Sequence, residues 1–349
     1  MTEVKASKDG TSYTIGRYIY DKLGRVARFV DGQVSGKSCT YGYDLTDRLC
    51  EAVFDDGTAY RYTYDVNDCL VKEVQTTPDG VRTVTRAYDA DSRETTVICG
   101  SAKIEKTFDK LGRLSSIRRN GGKHTTTYTY GTAADGGQTG RISSIEHSNG
   151  EQSSVEGYGY DDWGNVSRIS RGGKHAPSTF EYDAQGQLIK EVDQGQLSIF
   201  RYWYDGGGNL TEVRSYPVPE SGEEEGDGTV VKKFAYDSTW KDQVTAVDGQ
   251  TVAYDTAGNV TAYKGRKYSW CGNGILTDVI KEDGSQILGE KNASGYQSYI
   301  YNSGGEIEAI YYKKSVYYYI KNGQQDIIGL CDASGQWVVD YSYDTGAIF

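Results

Sequence analysis

Polar and apolar positions alternate along this chain in short bursts, with the period of a β-strand. The sharpest bursts are Tyr-x-Tyr doublets: Tyr18/Tyr20, Tyr41/Tyr43, Tyr62/Tyr64, Tyr128/Tyr130, Tyr158/Tyr160, Tyr202/Tyr204, Tyr299/Tyr301 and Tyr341/Tyr343. Strand side chains point to alternate faces, so each doublet sets two rings on one face. Most doublets run straight into Asp, and three residues later into Gly. Tyr20-Asp21-Lys22-Leu23-Gly24-Arg25 sets the pattern. Tyr43-Asp44, Tyr64-Asp65, Tyr88-Asp89, Phe108-Asp109 with Gly112-Arg113, Tyr160-Asp161 with Gly164, Tyr182-Asp183 with Gly186, Tyr204-Asp205 with Gly208, Tyr254-Asp255 with Gly258, and Tyr343-Asp344 follow it. The spacing is mostly about 20 to 24 residues, a period that marks a repeat architecture.

Each repeat reads as one β-hairpin. The Asp carboxylate can accept a backbone N–H two residues on and so opens a turn. Gly closes that turn where a positive φ is needed. Asp47 and Asp68, which stand at the Gly position, tolerate the same geometry, and Gly131 replaces Asp after Tyr130. A short strand follows, as in Arg25–Phe29 or Arg113–Ile117. A second turn, often Asp-Gly (Asp31-Gly32, Asp56-Gly57, Asp79-Gly80, Asp248-Gly249, Asp283-Gly284), returns the chain to the next doublet. One hairpin cannot bury enough surface to stand alone. The prediction is therefore an all-β fold of repeated antiparallel hairpins, stacked into a spiral sheet or hollow β-shell that hides its edges by curling. Residues 1–300 form the repeat array. Two interruptions, 131–140 and 217–228, read as flexible insertions, the second carrying Glu220, Glu223, Glu224, Glu225 and Asp227 without the ligand spacing of a calcium loop.

Composition sharpens this picture. The 349 residues include 31 Tyr and 44 Gly but one Met, so apolar burial is expected to rest largely on Tyr rings rather than on packed helices. The formal net charge of −11 argues against a broad nucleic-acid-binding surface. No apolar stretch is long enough for a membrane-spanning helix, and the first residues do not read as a signal peptide. The pattern is already under way at the start, which suggests a piece of a longer parent.

Candidate chemistry is thin. Cys39, Cys50, Cys69, Cys99, Cys271 and Cys331 form no Cys-x-x-Cys pair and read as thiols in strands, with a Cys39–Cys50 bridge across one hairpin the one pairing worth testing. His124, His147 and His175 lie in polar contexts and read as solvated turn residues. No Gly-x-Ser-x-Gly, His-Glu-x-x-His or phosphate loop is present. The recurring Asp is expected to be a turn former, since an active site needs one asymmetric constellation. Neither a cofactor nor a metal ion is expected, and the chain reads as a non-enzyme.

The unit Tyr-Asp-x-x-Gly-Arg followed by an Asp-Gly hairpin resembles the Rhs or YD-repeat family, and most of all its Gram-positive wall-associated members. The resemblance is sharpest in Tyr317–Leu330, Asp332-Ala333-Ser334-Gly335 and Tyr341-Ser342-Tyr343-Asp344, which look like the core segment that ends the shell, so residues 301–349 are set apart as a core-like C-terminal end. The resemblance implies a hollow β-shell around a C-terminal toxin domain of a longer polypeptide, a cognate immunity protein, export or wall association, and contact-dependent competition between bacteria. Family members commonly continue with Trp-Gly and a self-cleavage segment. Here the sequence reads Thr345-Gly346-Ala347-Ile348-Phe349, so no catalytic residue is carried over. The alternative reading is a cell-surface carbohydrate-binding or adhesion module, using Trp163, Trp203, Trp240, Trp270 and Trp337 as stacking faces.

Overall fold

The computed structural model describes residues 1–341, apart from 9–10, 33–37, 78–79, 134–135, 173–175, 194–196, 219–225, 271–275, 282–285, 289–290, 293–294, 297 and 313–314. His175, Cys271, Tyr343, Asp344 and the glutamates at 220 and 223–225 thus lie outside the described residues. The fold is all-β, as expected. Strands from Thr2–Lys8 to Gln250–Thr251 belong to a 22-stranded antiparallel sheet. The described residues include no α-helix, only a 3-10 turn at Asn120–Gly122. The chain divides into two compact units: Met1–Lys106 with Ala253–Tyr318, and Thr107–Val252 with Tyr319–Phe349.

Within each unit, strands pair antiparallel with their sequence neighbours. In the first, Thr11–Tyr20 pairs with Val26–Asp31, then Ser38–Tyr43 with Leu49–Phe54, and Ala59–Tyr64 with Leu70–Thr77. In the second, Ser153–Tyr160 pairs with Val166–Arg171, Ser178–Tyr182 with Leu188–Asp193, and Ser198–Tyr204 with Leu210–Pro217.

Each of these hairpins slips register at the same place, just before its last Tyr. Ile19 faces Arg28 while Tyr20 faces Val26, leaving Ala27 unpaired. The same shift falls between Gly42/Tyr43, Thr63/Tyr64, Gly159/Tyr160, Glu181/Tyr182 and Trp203/Tyr204. A bulge adds local twist and bends its strand. Here the bend is written into each of these six hairpins.

The core departs from the expectation in one respect. The most completely buried side chains are mainly β-branched: Ile104, Ile145, Ile300, Ile320, Val97, Val213 and Val247, with Tyr318 the largest. Most motif tyrosines are only half-buried. Their rings lie near the hairpin ends, where the hydroxyl must still reach a partner. Among the described residues around 131–140, Tyr130 lies opposite Ile142 and Thr132 opposite Gln138. In the 217–228 segment, the described Asp227 accepts a hydrogen bond from Arg214 Nη1 through its carbonyl (2.8 Å).

Cys39, Cys50, Cys69, Cys99 and Cys331 are all free thiols, so the Cys39–Cys50 bridge does not form. Their neighbours explain it: Cys39 faces Phe54, while Cys50, in the adjacent strand, is the unpaired bulge residue between Leu49 and Glu51. Burial pushes the Cys39 and Cys99 thiols above their ordinary pKa, which keeps them protonated and unreactive.

Candidate functional site

The motif aspartates build one recurring turn. Asp21 Oδ1 accepts the backbone N–H of Leu23 (2.8 Å) and Arg25 (3.0 Å), while Oδ2 accepts Arg25 Nε (2.7 Å). Asp44 with Arg48, and Asp109 with Arg113, repeat this geometry. Where Asn follows instead of Arg, its side-chain amide takes the second oxygen: Asn165 on Asp161, Asn209 on Asp205 and Asn259 on Asp255, each at 2.9 Å. Asp183 binds the backbone of Gln185 and Gln187. Desolvation works against the Asp21 and Asp109 carboxylates, but these hydrogen bonds outweigh it and hold both below the usual pKa.

The residue three places after Asp has φ of +83° at Gly24, +98° at Gly164 and +88° at Gly208, and +64° at Asp47 and Asp68. The left-handed region is cheap for Gly and tolerable for Asp. Three further copies of the turn were not read in the sequence. Asn302, Asn322 and Asp332 each accept the backbone N–H four residues on, at 2.9, 2.9 and 3.0 Å.

A latch recurs between neighbouring repeats, broken where Phe108, which has no hydroxyl, takes the place of Tyr. The hydroxyl of Tyr43 donates to the Val26 carbonyl (2.9 Å), Tyr64 to Leu49 (2.9 Å) and Tyr88 to Leu70 (2.9 Å). In the second unit Tyr130 reaches Leu114, Tyr160 reaches Ile142, Tyr182 reaches Val166, Tyr204 reaches Leu188 and Tyr236 reaches Leu210, all at 2.8–2.9 Å. The accepting carbonyl belongs to the residue just after the motif Arg or Asn, or the residue in that place. The Arg itself lies over the next repeat's ring, with Arg25 4.6 Å from the centroid of Tyr43, Arg48 4.9 Å from Tyr64 and Arg113 4.2 Å from Tyr130. Tyr, Asp and Arg are thus one device, in which Asp orients Arg, Arg covers the next Tyr, and that Tyr holds the preceding strand.

The two units hold their C-terminal segments by different chemistry. In the first, Arg86 is buried beside Glu73 (3.2 Å) and Glu94 (3.5 Å). Lys106 bridges Glu94 (3.1 Å) to Glu308 (2.7 Å). Arg82 and Arg86 also donate to the carbonyls of Tyr299 and Tyr301, and Ser303 N–H donates to Glu94. Desolvation opposes the charge on Lys106, but Glu308 and Glu94 raise its pKa and keep it an ammonium.

In the second unit the residues at the centre are Arg119, His124, Thr126, His147 and Trp337. His124 and His147 are only 2% and 3% exposed, so the expectation of solvated turn residues is wrong for both. They sit inside strands His124–Thr132 and Gln138–Ser148, on the inward-facing positions of the alternation. Arg119 faces His124, and Thr126 faces His147, across the ladder. Burial first, then the Arg119 charge, pushes the imidazole pKa down to about 3 at His124 and about 4 at His147. The C-terminal turn closes on them: Arg119 Nη2 donates to the Tyr319 carbonyl (3.2 Å) and Asn120 to that of Ala333. Gly335 packs so tightly that a Cβ there would lie 1.9 Å from the Lys123 carbonyl oxygen. Trp337 stands against both imidazoles, and a cavity of about 690 Å³ opens at this point, lined mainly by polar side chains. No group of His, Cys, Asp and Glu among the described residues is arranged to hold a metal ion.

No protein-family model matches the chain. Among curated proteins, it is 25% identical over 198 residues to the tRNA nuclease WapA of Bacillus subtilis strain 168, covering 47% of this chain and 8% of that protein. The tRNA3(Ser)-specific nuclease WapA of Bacillus spizizenii matches to the same extent. Among solved structures, TcdB2-TccC3 without its hypervariable C-terminal region superposes with a TM-score of 0.72 at 15% identity, over 98% of this chain and 22% of that one. The Tc holotoxin pore of Photorhabdus luminescens superposes with a TM-score of 0.64 at 15% identity, over 97% of this chain and 21% of that one. The chain spans less than a quarter of any of these relatives. The fold is that of these structures, antiparallel hairpins joined in sequence order, as the repeating Tyr-Asp motif implied.

Proposed function

We propose that this Rhs-type fold serves as a segment of shell wall in a longer polymorphic toxin, enclosing or presenting a C-terminal toxin domain. The observation that carries the reading is the repeat-to-repeat latch, which spends Tyr, Asp and Arg on joining hairpins into a continuous wall. The aspartates are accordingly structural, tied into their own turns rather than gathered at one place. Likeness to a toxin complex described without its hypervariable C-terminal region supports a variable cargo beyond the wall. The partial match to two nucleases supports a toxin as that cargo. The parent's role is contact-dependent competition between bacteria, its cargo is held in check by a cognate immunity protein, and the parent is secreted or wall-bound. Electron microscopy of the full-length parent is the direct test. A hollow shell around additional density is expected; an extended or solid array would refute the reading.

A second reading, cell-surface carbohydrate binding, draws on Trp163 and Trp240, which are 86% and 53% exposed. A glycan array that gives no signal above a Trp163→Ala, Trp240→Ala control removes it.

A further inference from the structure

The C-terminal hairpin of the second unit is held in place by side chains rather than by a ladder. Ile327–Asp332 pairs with Trp337–Asp340, and both strands belong to a different sheet from the 22-stranded one. The described contacts that seat this part of the chain are local. Arg119 Nη2 donates to the Tyr319 carbonyl, Asn120 to that of Ala333, and Gly323 N–H to the Tyr158 hydroxyl (3.0 Å). Gly335 packs on Lys123 and His124, and Trp337 stands against His124 and His147 with ring centroids 6.2 and 6.1 Å away. Two imidazoles, 2% and 3% exposed and 5.9 Å apart, are thus buried where the hairpin docks.

The charges around these rings are lopsided. Leu114–Arg119 supplies Arg119, 2% exposed, whose Nη1 lies 3.4 Å from His124 Nδ1. Ser153–Tyr160 supplies Glu156, which favours a charged His147 but is shared with Arg171 (3.1 Å) and the Tyr158 hydroxyl (2.6 Å). In the C-terminal hairpin, Asp332 spends its carboxylate on the backbone of Ser334 and Gln336. Arg118, Lys123, Glu146, Glu151 and Asp340 are exposed and screened by solvent.

We propose that the second unit carries an acid-operated clasp, in which protonation of His124 and His147 releases the C-terminal hairpin while the long sheet stays folded. An imidazolium formed in the docked state would be desolvated beside a guanidinium, so that state accepts only neutral rings. Undocking gives both rings to water, where they titrate near the ordinary 6.5. The docked values, about 3 and about 4, lie below this, so docking is at full strength above pH 6.5 and weakens as pH falls below it. At pH 5 each imidazole favours the open form about thirtyfold, and the two together about a thousandfold. The seat in the first unit, built on Arg86, Lys106, Glu73, Glu94 and Glu308, contains no histidine.

Hydrogen exchange of the full chain, read by mass spectrometry and corrected for the chemical effect of pH, is the test. A lone hairpin is marginal in water, so the amides of 327–340 exchange once it leaves its seat. From pH 7.5 to pH 5 their protection is expected to fall at least about tenfold, toward the thousandfold limit. Protection in Ser198–Tyr204 and Leu210–Pro217 of the same unit should hold over that range. In the double variant His124→Gln, His147→Gln the pH dependence should vanish. Should that variant fail to fold, the slope in the unaltered chain decides: more than one proton taken up per opening supports the clasp, and less than one overturns it. Three further results overturn it: unchanged protection of 327–340 at pH 5, its loss in step with 198–217, or a pH dependence that survives in the double variant.

Discussion

The two units solve one problem, seating a C-terminal segment on stacked hairpins, with opposite electrostatics. The first uses full charges: Arg86 and Lys106 set among Glu73, Glu94 and Glu308, which leaves the group one negative charge in excess. The second uses neutral rings around a lone guanidinium, with two imidazoles whose protons are expelled by burial and by Arg119. A buried ion network holds only while it is complete, since each member left alone bears an unrepaid desolvation cost. A neutral cluster has no such interdependence, but it can be charged from outside by protons. The lesson is that repeats of one design can carry docking sites that fail under different conditions.

The sharpest way to break the comparison is to remove one cation from the first unit. Lys106→Met strands Glu94 and Glu308 together and is expected to cost about 3–5 kcal/mol in urea unfolding. His147→Gln in the second unit, which removes no fixed charge, should cost far less at neutral pH. A smaller loss near 1 kcal/mol for Lys106→Met would mean the network is solvated and the contrast false.

Acid separates the units next. Both histidines have folded pKa values below the ordinary 6.5, so the unfolded chain binds more protons between those values and 6.5. Their contribution is present in full above pH 6.5 and is lost as pH falls through about 4 and about 3. Glu156, whose charge acts against the downward shift at His147, is already engaged by Arg171 and Tyr158 and only tempers this. Hydrogen exchange measured from pH 7 to pH 4 should show protection falling around Thr126 and His147 before it falls around Arg86. The double variant His124→Gln, His147→Gln should flatten that slope.

Substitutions in the repeat itself provide the control. Asp44→Ala in the first unit and Asp109→Ala in the second remove matching turn hydrogen bonds, Asp44 losing one more, from Thr46 Oγ1, and both should lower the urea midpoint by similar, smaller amounts. Unequal losses would place part of the difference in the hairpins rather than in the docking. Smallest of all, Tyr64→Phe and Tyr204→Phe each delete one latch hydrogen bond and should cost about 1 kcal/mol by the same measurement.

The hairpin period was legible because Tyr-x-Tyr and Asp-x-x-Gly are local signals, fixed by strand alternation and by the φ that a turn demands. The Asn302 and Asn322 turns escaped because the repeating signal is Tyr-Asp, although Asn offers the same acceptor oxygen. The latch escaped because its two ends lie about one repeat apart and meet only once the register is known. The histidines were misjudged for a related reason. Lys123-His124-Thr125-Thr126 looks like a polar loop, yet its even positions are buried and continue into Tyr128. Period-two reading could have put His124 and Thr126 on one face. It could not have placed Arg119 and His147 beside them, since that depends on two separate ladder registers.

The latch also gives the array a mechanical direction. Each latch hydroxyl holds the hairpin that precedes it, so pulling on a later hairpin loads the bond to its predecessor, and within a run of latched repeats the strain passes back one bond at a time. Under tension such a wall should yield in equal steps of about one hairpin each, beginning at the loaded end and leaving the remainder intact. A stack of hairpins with that property can be opened at one place without being destroyed elsewhere.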